Sequence, residues 1–289
     1  MKKNINDLSR EEKANLMRAE FEKKSRFENL FNGQSEVKIS CEEFYQKFRE
    51  KIGRLLVEKK IIGKLDFPLE ELHLHIPQEM RDYNFNDGVN KISTLFYEND
   101  LEFSDIYFDF VKNFLRKKFD FPFYFQTTPT IRIHCPNAKN SDHYPRYHTD
   151  IQYGHPVQEI NLWFAFTKPI GAQKHGFMMA NIADSLAIYR EYDYHFDNLI
   201  KDAINDKNFT TRCEKICHEV DSTTEILAFD SRCIHSGEPL LEHTRISIDV
   251  RIIPVEDYDK MPITYQGAGR RKILFTAGGC YHQLSSDKL

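Results

Sequence analysis

Glu159-Ile160-Asn161-Leu162-Trp163-Phe164-Ala165-Phe166-Thr167 alternates with a period of two. Ile160, Leu162, Phe164 and Phe166 fall on one face, and Glu159, Asn161, Trp163, Ala165 and Thr167 on the other. Successive side chains of a strand point to opposite sides, so this stretch predicts a strand with one purely apolar face. Arg245-Ile246-Ser247-Ile248-Asp249-Val250-Arg251-Ile252 repeats the pattern, with Arg, Ser, Asp and Arg on its polar face. A sheet facing solvent would explain it. So would a sheet packed on helices outside and lining a polar cavity inside. Trp163 suits a bare solvent face poorly and favours the second arrangement.

Strand-like runs continue around these two, at Thr130–His134 and Glu225–Asp230, separated by turn-rich pieces such as Ser236-Gly237-Glu238-Pro239. A helical insert is expected at about 183–206. The first 120 residues read mainly as helix. Ser9-x-x-Glu12 and Ser40-x-x-Glu43 are capping-box candidates, and Phe44, Phe48, Ile52, Leu55 and Leu56 follow the second at helical spacing. Leu72-His73-Leu74-His75-Ile76 alternates and predicts a short strand, and stretches near 86–98 and 104–118 predict helices. The expectation is an α+β chain. Residues 1–120 form a mainly helical region packed on a β-rich domain spanning 121–289, the two making one structural unit.

The 289 residues carry a formal charge of -4, 40% hydrophobic and 13% aromatic residues, enough for a sizeable core and without the basic surplus of a nucleic-acid binder. Met1-Lys2-Lys3-Asn4 is followed by polar sequence, not by the apolar centre of a signal peptide, and no apolar run reaches membrane-spanning length. A soluble, cytoplasmic protein is expected, with six cysteines as reduced thiols.

The chemistry gathers at His148-Thr149-Asp150, answered downstream by His235 and Arg245-Ile246-Ser247. In an extended segment the HxD spacing puts His148 and Asp150 on one side, where both reach one ion; His235, at the end of another strand-like run, supplies a third ligand. Two imidazoles and one carboxylate occupy one face of a ferrous ion and leave the other open. Arg245 offers a guanidinium fork to a distal carboxylate, with Ser247 on the same face as a second donor. Asn161 and Arg132 are further candidates for the cosubstrate, a structural hydrogen bond being as good an explanation for either. Tyr153, His155, Glu159, Trp163 and Arg251 are candidates for substrate contact. An isolated HxD is weak evidence, and an Arg–Glu surface pair would account for Arg245; the ordered combination on strand-like segments is more specific. His134, His143 and His175 are candidates for the cavity mouth, whereas His73 and His75 lack a neighbouring carboxylate. Cys213-x-x-x-Cys217-His218 lacks a second ligand pair, so packing explains it better than zinc.

Tyr147-His148-Thr149-Asp150, Tyr153-Gly154-His155, Glu159–Trp163, His235-Ser236-Gly237-Glu238 and Thr244–Arg251 together resemble the iron(II)/2-oxoglutarate-dependent dioxygenases. Within them the likeness is to the streptomycin-biosynthesis-protein-like branch, distantly similar to phytanoyl-CoA hydroxylases, and covers roughly residues 121–255. The resemblance implies a double-stranded β-helix, or jelly roll, with Fe(II) held by His148, Asp150 and His235. It implies 2-oxoglutarate as cosubstrate anchored by Arg245, and O2 as oxidant. Related halogenases replace the acidic ligand by a small residue, so Asp150 disfavours halogenation and leaves hydroxylation as the default, with desaturation, cyclisation and epimerisation open. The branch suggests a small polar biosynthetic substrate: a sugar, an aminocyclitol or an amino-acid derivative. Competing readings are a peptidyl or protein hydroxylase, a non-catalytic jelly roll that binds a metal or small molecule, and a zinc hydrolase. The last gives no reason for Arg245 and Ser247 to line a cavity.

Overall fold

A computed structural model describes residues 2–23, 34–84, 89–96, 101–140, 147–170, 176–220, 224–238, 242–267 and 272–283. The strands, in chain order, are β1 (Lys3–Asn4), β2 (Glu36–Ser40), β3 (Phe123–Gln126), β4 (Thr130–His134), β5 (Ile160–Ala165) and β6 (Phe177–Ala180). They continue as β7 (Cys217–Glu219), β8 (Glu225–Asp230), β9 (His235–Gly237), β10 (Arg245–Pro254), β11 (Ile263–Thr264) and β12 (Tyr281–Gln283). The longer helices are α1 (Arg10–Phe21), α2 (Glu42–Glu58), α3 (Leu101–Asp109), α4 (Ile182–Glu191), α5 (Phe196–Asn205) and α6 (Lys207–Ile216).

Among the described residues the large sheet runs β12-β3-β10-β5-β8-β2, with β4 sharing one side of β10 with β3. A small sheet runs β7-β6-β9, and His148 bridges onto it opposite His235. After β4 the chain visits the small sheet at His148, returns at β5, crosses to β6 and β7, returns at β8, crosses to β9 and ends in β10. Alternation between two antiparallel sheets is the winding of a double-stranded β-helix within a mixed α+β chain.

The alternation read from the sequence sets the layers. Ile160, Leu162, Phe164 and Phe166 join Ile246, Ile248, Val250 and Ile252 in one buried cluster, completed by Phe44, Tyr45, Phe48, Ile52 and Leu56 of α2. Those α2 positions recur every three or four residues and make one apolar stripe. Phe48 stacks on Phe166 at 4.7 Å and meets Phe164 edge-on at 6.4 Å. The opposite face of the large sheet turns toward the small one. There Trp163, Leu227 and Phe229 pack with Phe177, Met179, Val220 and Cys233.

Several expectations are corrected. Leu72–His75 is a helical turn, not a strand. Leu72 and Ile76, four apart, are buried while Leu74 is 67% exposed, which only helical spacing allows. Five residues of Leu-His alternation satisfy both periods, and the neighbouring prolines bound the turn. Ser9 and Glu12 do form a reciprocal capping box. Ser40 does not: it is the last residue of β2, the amide of Cys41 donates to the carbonyl of Thr224, and Cys41 caps α2 without a side-chain bond. Strand pairing to β8 has claimed the residue. Of the helix expected near 86–98 the described part is Lys91–Thr94, and that near 104–118 begins at Leu101 and passes through a π-turn at Phe110–Leu115. The insert near 183–206 is longer, continuing through α6.

The carboxy-terminal stretch returns over the first half of the fold. β11 pairs in parallel with β1, and β12 adds to β3. The side-chain amides of Asn4 and Asn6 both donate to Gln266 Oε1. The six cysteines are free; burial pushes the Cys135 and Cys213 thiols up to about 12. No described helix is long and apolar enough to cross a membrane.

Candidate metal and cosubstrate site

His148, Asp150 and His235 each bring one ligand atom to a common point, all within 4.8 Å of one another. His148 and His235 exchange both backbone hydrogen bonds, at 2.9 and 2.8 Å, which sets their rings 4.6 Å apart. Thr149 is extended, and Asp150 opens a 3-10 turn ending at Gly154, whose φ is 91°. A Cβ at Gly154 would lie 2.1 Å from the carbonyl oxygen of Gln266, so only glycine lets the turn sit against the carboxy-terminal segment. The extended geometry assumed for HxD therefore holds to Thr149, and the turn then swings the carboxylate inward.

Each described contact prepares this triad for a cation. His235 Nδ1 lies 3.1 Å from the carbonyl oxygen of Cys233. A carbonyl only accepts, so Nδ1 is the donor of this bond, and Nε2 is the ring nitrogen left to face an ion. Nε2 is 3.9 Å from Asp150 Oδ1. Burial alone would raise the Asp150 carboxyl; the Arg251 guanidinium, foremost among the neighbouring charges, reverses this and holds it well below the usual carboxylate range. Two neutral imidazoles and one ionised carboxylate are the donor set that suits iron(II). Phe177 and Phe229 wall His235 at ring distances of 5.7 and 5.3 Å.

Arg245 and Ser247 lie on the inward face of β10, against His134 and Arg132 of β4. Arg245 is 2% exposed, and its guanidinium is 6.0 Å from the Trp163 ring. A Cβ at Gly237, two residues beyond His235, would stand 3.1 Å from Arg245 Nη2. The glycine thus clears space for the guanidinium beside the ligand strand. Burial lowers Arg245 to about 10, only partly opposed by Tyr83 and Asp249, so it stays a cation at neutral pH. Ser247 is fully buried, and its hydroxyl has no hydrogen-bond partner among the described residues. A buried hydroxyl beside a buried guanidinium fits an incoming carboxylate.

The other sequence candidates divide. Asn161 Nδ2 donates to Asp150 Oδ2 at 2.9 Å, so the amide serves the metal carboxylate. Arg132 Nε pairs with Asp249 Oδ2 at 2.8 Å, on the cavity side but engaged with a protein carboxylate. Tyr153 sits edge-on to His148 at 5.3 Å. Trp163 stacks on Phe177 at 4.7 Å inside the apolar filling, 2% exposed. Glu159 is fully buried, accepts from the Tyr281 hydroxyl and bonds His155 at 3.0 Å, so its carboxylate is engaged within the protein. His155 also packs on Phe275 at 4.3 Å. Arg251 is likewise engaged: Nε and Nη2 both donate to Asp150 Oδ2, at 2.9 and 2.8 Å. His134 meets the Tyr83 hydroxyl, and burial with Arg245 and Arg132 keeps its pKa well below the ordinary value. His143 and His175 lie outside the described residues. Cys213 is buried in α6, and His218 faces Glu36 at 3.5 Å, as packing and not zinc would have it.

The sequence missed Tyr83, brought to His134 from a segment fifty residues away, and Tyr281, which reaches Glu159 from the last described strand. Neither sits in a periodic run that would mark it.

No family model matches the chain, and no curated protein does. Among solved structures it is similar to SnoK, a non-haem α-ketoglutarate-dependent carbocyclase from nogalamycin biosynthesis. Identity is 12% and the TM-score 0.44, over 99% of this chain and 100% of that one. It is also similar to a nickel complex of the non-haem monooxygenase ThoJ, at 9% identity and TM-score 0.33, over 78% and 76% of the two chains. At such identities and scores the reading of the site rests on this chain's own side chains.

Proposed function

We propose that the protein is a non-haem iron(II)- and 2-oxoglutarate-dependent oxygenase that hydroxylates a small polar metabolite. The observation that carries this reading is the joint placement of a His-Asp-His donor set and, on the neighbouring inward strand, a buried guanidinium with a serine hydroxyl that has no hydrogen-bond partner among the described residues. A metal site alone would suit a hydrolase. The Arg245–Ser247 pair gives it a receptor for a second, dianionic reactant.

His148, Asp150 and His235 would hold the iron, which when bound supplies the redox chemistry coupling oxidative decarboxylation of 2-oxoglutarate by O2 to oxidation of a substrate C–H bond. Arg245 receives the distal carboxylate of 2-oxoglutarate, and Ser247 donates to it. Desolvation strengthens that contact, because the guanidinium already stands in a site that excludes water. Trp163, Phe177 and Phe229 keep the interior beside His235 apolar, which limits water at the reacting centre. Cys233 fixes the tautomer of His235, and Tyr153 stands at the His148 side, where substrate would enter.

The test is aerobic incubation of iron-loaded protein with 2-oxoglutarate and a panel of sugars, aminocyclitols and amino acids. Succinate formed in step with oxygen consumption, and stimulated by a member of the panel, is the expected result. Protein that binds iron yet neither binds 2-oxoglutarate anaerobically nor forms succinate overturns the proposal.

A further inference from the structure

Arginine and carboxylate commonly meet fork to fork, two N–H groups on two oxygens. Arg251 and Asp150 do not. Nε at 2.9 Å and Nη2 at 2.8 Å converge on one oxygen, Oδ2, and Asn161 Nδ2 adds a third donor to the same atom at 2.9 Å. The other oxygen, Oδ1, is the one turned to His235 Nε2. Register explains the convergence: Arg251 of β10 and Asn161 of β5 are paired positions on adjacent strands and share the inward face. The guanidinium is itself held from behind, Nη1 donating to Gln126 Oε1 at 3.2 Å and Nε lying 3.9 Å from Glu159. Glu159 in turn accepts from Tyr281 and bonds His155.

We infer that Arg251, with Asn161, is a positioning residue that withholds Oδ2 of Asp150 from the metal, so that Asp150 binds through Oδ1 alone. This rests on the metal site proposed above and adds a coordination number to it. With one oxygen from Asp150 and two imidazoles as its ligands, a bound ion would keep more positions open to reactants than with a carboxylate that used both oxygens. The three donors on Oδ2 would hold that oxygen back.

The test uses Co(II), a non-turning-over probe whose d–d absorption reports coordination, titrated into metal-free full-length protein. Wild type, Arg251→Met and Asn161→Ala are compared, with circular dichroism as the control for folding. Arg251→Met is expected to bind Co(II) about 10- to 100-fold more weakly. Its d–d spectrum should change as Oδ2 joins the ion. Asn161→Ala, which removes one donor of three, should shift both readouts in the same direction and by less. It carries the test alone if Arg251→Met does not fold. A merely structural arginine would alter thermal stability and leave the spectrum of the bound ion unchanged. Wild-type affinity and spectrum in the folded variants overturn the inference while leaving the oxygenase reading standing; a wild type that binds no Co(II) removes both.

Discussion

The two faces of β10 do different work with the same backbone. Outward, Ile246, Ile248, Val250 and Ile252 bury against α2 and its aromatic neighbours. Inward, Arg245, Ser247, Asp249 and Arg251 share the side of the metal ligands; Asp249 pairs with Arg132 and Arg251 with Asp150, while the Ser247 hydroxyl has no hydrogen-bond partner among the described residues. The outer face is interchangeable bulk held by area, where loss of one side chain costs transfer energy and leaves a cavity. The inner face is geometry, where loss of one atom costs function with little effect on folding. Changes on the two faces should therefore separate stability from chemistry.

His235→Ala should show the largest effect, abolishing metal binding and every metal-dependent turnover, with a melting temperature close to wild type. Isothermal titration with metal beside a thermal melt checks both halves; a large fall in melting temperature would merge the two faces into one. Phe164→Ala tests the other face. Its ring is 1% exposed and touches Tyr45, Phe48, Phe110 and Phe166. Denaturant titration should show a loss of about 3–5 kcal/mol, while the protein still folded binds metal with wild-type affinity. Arg245→Met should weaken anaerobic 2-oxoglutarate binding about 10- to 100-fold, as expected for a lost charge-assisted hydrogen bond, and leave metal affinity unchanged. Equal binding of 2-oxoglutarate by wild type and variant would move the cosubstrate receptor elsewhere.

The smallest effect lies away from both faces, where α1 meets the insert. Glu22 accepts from Arg190 at 2.7 and 2.6 Å and from the Tyr194 hydroxyl, and these bonds, Arg190 first, hold its carboxyl down to about 2. A folded pKa below the unfolded value, about 4.3, means stability present above that value and lost as pH falls through 2. The gap in melting temperature between wild type and Glu22→Gln should be positive at pH 6 and close toward pH 2. It should be small, because the pair is solvent-screened. A gap independent of pH would show that Glu22 contributes by packing alone.

The candidate site was legible where chemistry sits at short, even spacing, although Asp150 opens a turn and does not continue a strand. His148 and Asp150 lie two apart, Arg245 and Ser247 two apart, and the period of β5 and β10 told inside from outside. What was not legible depended on pairing across long separations. Arg251 was placed on the inward face, but its partner stands 101 residues earlier, and no local pattern joins them. Glu159 was expected to meet substrate because its parity is inward; the Tyr281 hydroxyl, 122 residues on, closes that position. β11 and β12 have two and three residues, too few for a period to register. Leu72–Ile76 failed for the opposite reason, since its five residues satisfy two periods at once.

Gly154 has one further consequence. With the Gln266 carbonyl oxygen 2.1 Å from where a Cβ at this position would stand, the bend that presents Asp150 and the returning segment pack as one unit. Any side chain at 154 would wedge the two apart and drag the carboxylate with them. Efforts to retune substrate choice by diversifying 151–156 should keep that position fixed, and should treat Gln266 and Gly267 as part of the same packing unit.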